Sequence, residues 1–383
     1  MKIALVHDYL VQYGGAERVL ESFARVFPEA PIYTLVYDAQ ATRGVFEKYD
    51  VRTSFLQHMP FARTHHRLFP LLMPLAIEQF DLSRFDVVLS DSSSYAKGVI
   101  TRPETVHISY VHTPMRYAWD DCQKYTNDFG LPHLVKKMVP FAMNGIRIWD
   151  RVSARRIDYP IANSAFVARR IKKYYNRDAV VIHPPVDVAH FRLRPELRDE
   201  RLAGETYFLM VGRLIAYKRH DIVIEACNRR GIPLKIIGRG PEEARLRRMA
   251  GPTIEFLSRV DDADLARYYA NAQGFVFPQE EDFGIVAIEA LAAGRPLIAY
   301  RGGDIVDHIV EGRTGVYIEE QTADAVVAAL DAFARHTFVH EDIATYADKF
   351  DKHQFERKIR RYVHAVADEY HAAHNLSPII TPA

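Results

Sequence analysis

FVFPQEEDFGIVAIEALAAGRPLIA, residues 275–299, reads as one complete strand–helix–strand step. An apolar run closes at Pro278, a short acidic loop follows, a helix starts near Gly284 or Ile285, and a second apolar run, PLIAY over 296–300, comes after it. Apolar runs alternating with amphipathic stretches are the pattern of βαβ units on a parallel sheet. The pattern continues upstream through YFLMVG (207–212), LKIIG (234–238) and TIEFL (253–257). A second series occupies the first half, with strands expected over 3–7, 32–37, 87–90, 107–111 and 159–163. A helix over 16–27 there carries Val19, Leu20, Phe23, Val26 and Phe27 at helical spacing and stops before Pro28. The fold class is therefore α/β, in two domains.

The later series is expected to begin near Val180, and His183 followed by Pro184 and Pro185 marks an extended connector. This gives an N-terminal domain over 1–180 and a C-terminal one over 181–359, with no visible sequence repeat between them. A length of 383 residues favours two cores over one, and two domains imply a cleft. With 48% hydrophobic and 26% charged residues the composition is globular, and a net charge of +1 gives no global pull toward nucleic acid. The two cysteines, Cys122 and Cys227, lack the spacing of a zinc site or disulfide framework, so a reducing cytosol is expected. The N-terminus turns polar too early for a secretory signal, and no run approaches the ~20 apolar residues of a membrane span. The chain is read as cytoplasmic.

Chemistry concentrates in the second half. In VGRLIAYKRHDIVIEA (211–226), Arg213 directly follows an expected strand, and Lys218 precedes a helix over 221–230. Parallel sheets bind ligands at the carboxyl ends of their strands, where two such cations suit a diphosphate. From this segment alone, solvated surface cations explain the pair equally well. The amides of Phe283, Gly284, Ile285 and Val286 lie at a helix start, where the macrodipole favours an anion, and Gly284 permits close approach. Glu281 in the loop and Glu289 one turn into the helix suit the hydroxyls of a sugar or ribose. Ordinary helix-start electrostatics explains Glu281 as well. It explains Glu289 poorly, because Ala287, Ile288, Ala290, Leu291 and Ala292 surround it with apolar chain and an ionised carboxylate there needs partners.

Glu281 and Glu289, with seven residues between them, resemble the paired-glutamate signature of retaining family 4 glycosyltransferases of the GT-B fold. GGAERV (14–19) is similar to that family's glycine loop, IIGRGP (236–241) to its central strand-turn, and AYRGGDIVDHIVEGRTG (299–315) to the segment after the donor motif. SYVHTPMRYAWD (109–120) resembles a subgroup of bacterial polysaccharide and lipopolysaccharide mannosyltransferases. The resemblance spans nearly the whole chain. It implies two Rossmann-like domains facing a central cleft, with a C-terminal helix, about 360–383, returning to the N-terminal domain. It implies that Arg213 and Lys218 hold the donor diphosphate and Glu289 the ribose, while Glu281 faces the transferred sugar. Phe283 to Val286 would contact sugar and phosphate through their amides, Arg259 and Val260 would lie near the base, and Gly14 and Gly15 would form the loop at the donor. His112 would stand across the cleft at the reacting side of the sugar; by itself it reads as a core histidine at a strand end.

The implied reaction is transfer of a hexose, mannose from GDP-mannose first and UDP-sugars second, with retention of configuration, to a polyprenyl-diphosphate-linked or other lipid-linked saccharide. No cofactor and no metal are expected: no DxD-like pair stands at a strand end, and Asp261, Asp262 and Asp264 read as the start of a helix over 263–270. Residues 54–77 contain no acid, while Arg63, Arg67, His58, His65 and His66 are interleaved with apolar residues. Residues 131–149 repeat the pattern around Lys136, Lys137 and Arg147, which suits docking on the anionic cytoplasmic leaflet, although a domain core with a few surface cations fits too. Prolines at 60, 70, 74 and 140 argue against long helices there. A dinucleotide-dependent oxidoreductase is disfavoured, since Glu243 stands where the third glycine of GxGxxG belongs. The glutamate pair argues against a nucleotide-sugar epimerase or phosphorylase, and a non-catalytic nucleotide-sugar-binding subunit stays open.

Overall fold

The computed structural model describes all residues except 121–132, 198–201, 203–205, 259 and 375–383. The chain divides into two compact units, Met1–Pro185 with Phe355–Ala383, and Val186–Gln354.

The first unit is built on a seven-stranded sheet of β1 (Ile3–His7), β2 (Ile32–Thr34), β3 (Val51–Thr53), β4 (Val87–Ser92), β5 (Val106–Val111), β6 (Tyr159–Ala162) and β7 (Val180–Val181). Its order is β3-β2-β1-β4-β5-β6-β7, and every pairing is parallel. Such a sheet buries both faces, and β1 shows why an unbroken apolar run is needed. Ile3 and Leu5 enter a core on one face with Leu20, Phe23 and Ile108, while Ala4 and Val6 enter another with Tyr33, Val88 and Ile77. Each fully buried aliphatic or aromatic side chain contributes roughly 1.5–3 kcal/mol relative to exposure.

The helix Lys352–Ala373 joins the first of these cores through Phe355, Ile359, Val363 and Val366. Its ring Phe355 stacks on Phe23 at 5.8 Å, and Arg25 donates to Glu356 at 2.8 Å. The last helix thus does return to the N-terminal unit.

The second unit carries a six-stranded sheet of β8 (Phe208–Val211), β9 (Leu234–Ile237), β10 (Ile254–Leu257), β11 (Gly274–Phe277), β12 (Leu297–Tyr300) and β13 (Gly315–Ile318), in the order β10-β9-β8-β11-β12-β13 and again all parallel. In both sheets the strand order reverses once, between β1 and β4 and between β8 and β11. Ligands of open parallel sheets bind outside the carboxyl ends of the strands at such a switch point.

Three expectations need correction. Val180 does not open the second series: β7 pairs with β6, so it closes the first sheet, and the boundary falls at Pro185 and Val186 rather than at 180. The tail likewise joins the first unit from Phe355 rather than from about 360. Pro140 does not prevent a long helix, because His133–Ser153 runs 21 residues with Pro140 inside it. Loss of one amide and a ring clash cost about 3 kcal/mol, and the helix offsets this by anchoring its second half. Trp149 Nε1 donates to Glu78 at 2.8 Å, Arg147 to the Ala118 carbonyl at 3.0 Å, and Ile146 is buried. No described helix is long and apolar enough to cross a membrane.

Candidate functional site

The strand ends at the two switch points gather most of the residues singled out by sequence. In the second unit, β8 runs into Gly212 and Arg213, and β11 runs into Pro278 and the acidic loop. Gly212 and Gly238 leave neighbouring strands side by side, and a Cβ on Gly238 (φ +151°) would fall 1.9 Å from the Gly212 carbonyl oxygen. Only glycine lets the two backbones approach so closely there. Beyond this crossing a short 3-10 turn, Ala216–Lys218, brings Lys218 back toward the sheet, and the helix His220–Arg230 follows.

Lys218 forms an ion pair with Glu281, the two side chains 12% and 20% exposed. Strand-end cation and loop carboxylate are therefore together. The backbone of Glu281 is fixed independently: its carbonyl accepts from Asp304 N–H at 3.0 Å, and Gly303, at φ +75°, packs against it. Arg213 is exposed and has no ion-pair partner among the described residues. One cation at this strand end is thus neutralised and the other is open to an anion.

The acidic loop ends at Gly284, which caps the helix Ile285–Ala292 in the left-handed region at φ 85°. A Cβ there would meet the Phe277 ring at 2.8 Å, so the position requires glycine on two counts. Phe283 is buried against His308 and Phe350, while Ile285 and Val286 are half-buried. The first-turn amides of a helix have no intrahelical acceptor, so this end offers donors to an anion. Glu289, 1% exposed, accepts from the Tyr269 hydroxyl at 3.1 Å. The sequence required a partner for this carboxylate without indicating Tyr269, which is 20 residues away on the helix Asp262–Asn271.

The segment after β10 is held by side chains. Arg239 Nε donates to the Ser258 carbonyl at 2.6 Å, Arg247 donates to Ser258 Oγ at 2.9 Å, and Val260 packs on the core that includes Phe277 and Ala287. Arg259 lies outside the described residues. Asp261 accepts from Asp264 N–H at 2.7 Å and Asp264 accepts from Arg267 at 2.8 Å, so these acids start and brace a helix.

In the first unit the switch point holds a chain of charges. The β1–β4 register sets His7 opposite Asp91. His7 Nδ1–H donates to Asp91 Oδ2 at 2.9 Å, and His112 Nε2–H donates to Asp91 Oδ1 at 2.6 Å. His7 Nε2 lies 3.8 Å from Glu17, whose other oxygen accepts from Gly14 N–H at 2.8 Å. Gly14 is the N-cap of the helix Gly15–Val26, and Glu17 at the third position supplies the half of a capping box open to a glycine cap, accepting from the cap's own amide. Burial pulls the His7 pKa down, but the carboxylates of Asp91 and Glu17 on either side hold it up at about 10. Burial pushes Asp91 and Glu17 up in turn, and their histidines overcome it: both carboxyls sit below the usual range. The neighbouring Asp8 is separate, accepting from the amides of Ser93, Ser94, Tyr95 and Ala96 at 2.6–2.9 Å and so pinning the loop after β4. His112 is the member nearest solvent, at 13% exposure.

Of the residues singled out, then, Lys218 and Glu281 are in direct contact, Glu289 is buried in the helix that follows Glu281, and Gly14 is linked to His112 through Glu17, His7 and Asp91. Gly15 is exposed at the first turn of its helix. His7, Asp91 and Glu17 were not foreseen; a charged or polar residue ending a buried apolar strand is the signal that marks the first two.

Comparison with known proteins places the fold and the family. Among curated sequences, O-antigen chain mannosyltransferase C of Escherichia coli is 30% identical over 195 residues, 46% of this chain and 50% of that protein. D-inositol 3-phosphate glycosyltransferase 2 of Catenulispora acidiphila is 29% identical over 229 residues, 50% of this chain and 52% of that one. The chain thus spans about half the length of the curated relatives it matches. Among solved structures, HepE of Anabaena in complex with UDP superposes with a TM-score of 0.71 at 17% identity, covering 95% of this chain and 100% of that one. The family description "Glycosyltransferase Family 4" matches residues 13–190 and "Glycosyl transferases group 1" matches 194–350. With both halves matched in order on two Rossmann-like units, the chain belongs to the family 4 glycosyltransferases of the GT-B fold.

Proposed function

We propose that the protein transfers a hexose from a nucleoside-diphosphate donor to a lipid-linked saccharide with retention of configuration. The observation that carries this reading is the strand-end arrangement of the second unit: an open guanidinium on Arg213, the Lys218–Glu281 pair, and a glycine-capped helix start with Glu289 buried behind it. The departing diphosphate gathers negative charge in the transition state. Arg213, Lys218 and the helix amides stabilise that charge from fixed positions, and such preorganised electrostatics lowers the barrier without covalent chemistry. The Lys218–Glu281 pair keeps the ammonium oriented while no donor is present, and Glu281 is left to meet a sugar hydroxyl when the ammonium turns to phosphate. Glu289, held by Tyr269, is assigned to the ribose, and His112 to a hydroxyl of the transferred sugar.

GDP-mannose is the first donor, on the strength of the segment 109–120 and of the mannosyltransferase relative; UDP-sugars are the second. A thermal-shift screen of GDP- and UDP-sugars followed by a transfer assay decides, because a ligand that binds only the folded state raises its apparent stability. Stabilisation by a UDP-sugar alone removes the mannose assignment, and no response to any nucleotide-sugar removes the whole reading.

The acceptor side is assigned to the first unit. Residues 54–77 and the helix His133–Ser153 pack on one core through Leu56, Ala62, Met73, Ile77 and Ile146. They leave Phe61, Leu68, Leu71, Leu75, Phe141 and Ile148 exposed, in segments poor in acid. Apolar side chains among cations suit the surface of an anionic bilayer, where a lipid-linked acceptor resides. Flotation with anionic and neutral vesicles tests this: preferential recovery with the anionic set is expected, and equal recovery, or none, excludes electrostatic docking.

A further inference from the structure

The charge chain of the first unit is costly for a purely structural element. Asp91 is fully buried, and His7 and Glu17 nearly so. Desolvating such groups costs several kcal/mol each, and apolar residues of similar volume hold a core as well or better. The four residues come from four places: the end of β1, the first turn of the helix Gly15–Val26, the end of β4, and the position after β5. Their connectivity is linear, from the Gly14 amide to Glu17, to His7, to Asp91, to His112. It terminates at the one member with access to solvent. A carboxylate can only accept, so Asp91 obliges His112 to keep its proton on Nε2, and in the neutral ring Nδ1 then faces away from Asp91 as an acceptor. Asp91 in turn has its second oxygen occupied by His7, whose other nitrogen faces Glu17. Asp8, the nearest other carboxylate on β1's end, is saturated by four backbone amides and does not compete.

We propose that Glu17 and His7 are positioning residues of the transfer reaction: they lock Asp91, and through it fix the ring orientation and tautomer of His112, so that Nδ1 is presented to a hydroxyl of the transferred sugar. This rests on the assignment of His112 to the sugar. It also gives the Gly14 turn a role beyond starting a helix, since its amide and the His112 ring become two ends of one braced unit.

The test uses the full chain with ¹⁵N-labelled histidine. Glu17→Gln preserves side-chain length, and glutamine also serves in a capping box, so the change removes the charge opposite His7 and little else. The wild-type His112 is expected to show a single Nε2–H tautomer; E17Q, by freeing the His7 ring and with it the orientation of the Asp91 carboxylate, is expected to let His112 turn and show a mixture. With the best donor from the screen, E17Q is expected to lower kcat by about 10-fold, the lower end of what loss of an outer partner of a functional histidine costs, and to leave the donor KM unchanged. On a His112→Ala background E17Q should change kcat no further, because residues acting through one another are not additive. His7→Gln, which cuts the chain without touching the capping turn, should reproduce both readings and serves if E17Q does not fold. A wild-type tautomer in both variants overturns the proposal, as does a kcat loss that multiplies with H112A. If no donor is turned over at all, the glycosyl-transfer reading fails, but the tautomer measurement still judges the chain of contacts.

Discussion

The two switch points solve the same topological situation in opposite ways. At the end of β1 and β4, charges are buried and already matched: His7 with Asp91 and Glu17, Asp91 with His112. At the end of β8 and β11 they are incompletely matched: Lys218 pairs with Glu281 in a partly buried contact, while Arg213 is exposed with no described ion-pair partner. A matched buried network has nothing left to give a ligand except at its outer end, so it serves geometry. An open cation at a strand end is cheap to maintain in water and gains most when an anion arrives. The contrast predicts that the first cluster weighs most on stability, with a smaller effect on turnover, and that the second weighs mostly on turnover.

The largest expected effect is on stability. Asp91→Ala leaves the His7 charge facing only Glu17 in a buried site, and breaking one partner of such a set costs about 3–5 kcal/mol. Urea unfolding should show it, while Arg213→Ala, at an exposed position, should stay within about 0.5 kcal/mol of wild type. Comparable losses in the two variants would erase the distinction between the clusters.

Turnover should invert that ranking. Arg213→Ala and Lys218→Ala are each expected to lower turnover by about 100-fold or more with the fold intact, the usual result of removing one preorganised donor from a developing negative charge. Near-normal turnover in both folded variants would leave the second cluster without a catalytic function.

A smaller effect is expected from pH. His7 rises from 6.5 to about 10 on folding, so its stabilisation is complete below 6.5 and is lost as pH climbs through about 10. His107 and His220 shift the other way, burial pushing each down to about 4, with Lys218 adding to the effect at His220. They must stay neutral in the fold, so stability falls as pH drops from 6.5 toward 4. The lowered carboxyls of Asp91 and Glu17 add to the acid loss below their ordinary range, near 3.8 and 4.5. The thermal midpoint should therefore peak near neutral to slightly acid pH, and His7→Gln should flatten the alkaline side. An unchanged alkaline limb in that variant would mean the His7 charge contributes nothing.

What was legible in the chain follows from the same physics. Nearly every strand with a neighbour on each side shows as a continuous apolar run, because both faces of a parallel sheet are buried. The strands missed or misassigned, β3, β7 and β13, all lie at sheet edges, where two to four residues with looser apolar demand suffice. Arg213, Lys218, Glu281 and Glu289 were readable because each sits next to a strand or helix boundary that the pattern itself marks. His7 and Asp91 could be marked singly as polar ends of apolar strands but not as partners, since they lie 84 residues apart and meet only through the β1–β4 register. Glu17 is a first-turn acid of its helix, a placement that is favourable in any case, so nothing local marks its second partner.

The smallest expected effect is that of removing divalent cations, which is none. Asp261 is spent on the amide of Asp264, and Asp264 on Arg267, so the acids closest to the end of β10 hold a helix start. Glu281 is neutralised by Lys218. On the proposed reading, charge compensation for a diphosphate falls to Arg213, Lys218 and the amides at the start of the helix Ile285–Ala292, groups that would act as fixed cations and dipoles where other enzymes employ a metal. EDTA should leave transfer at its untreated rate, and added Mg²⁺ or Mn²⁺ should not raise it. If EDTA abolishes transfer and either metal restores it, then the open half of the comparison is a metal site awaiting its ion, and Arg213 and Lys218 must be reassigned to binding the donor rather than to stabilising its departure.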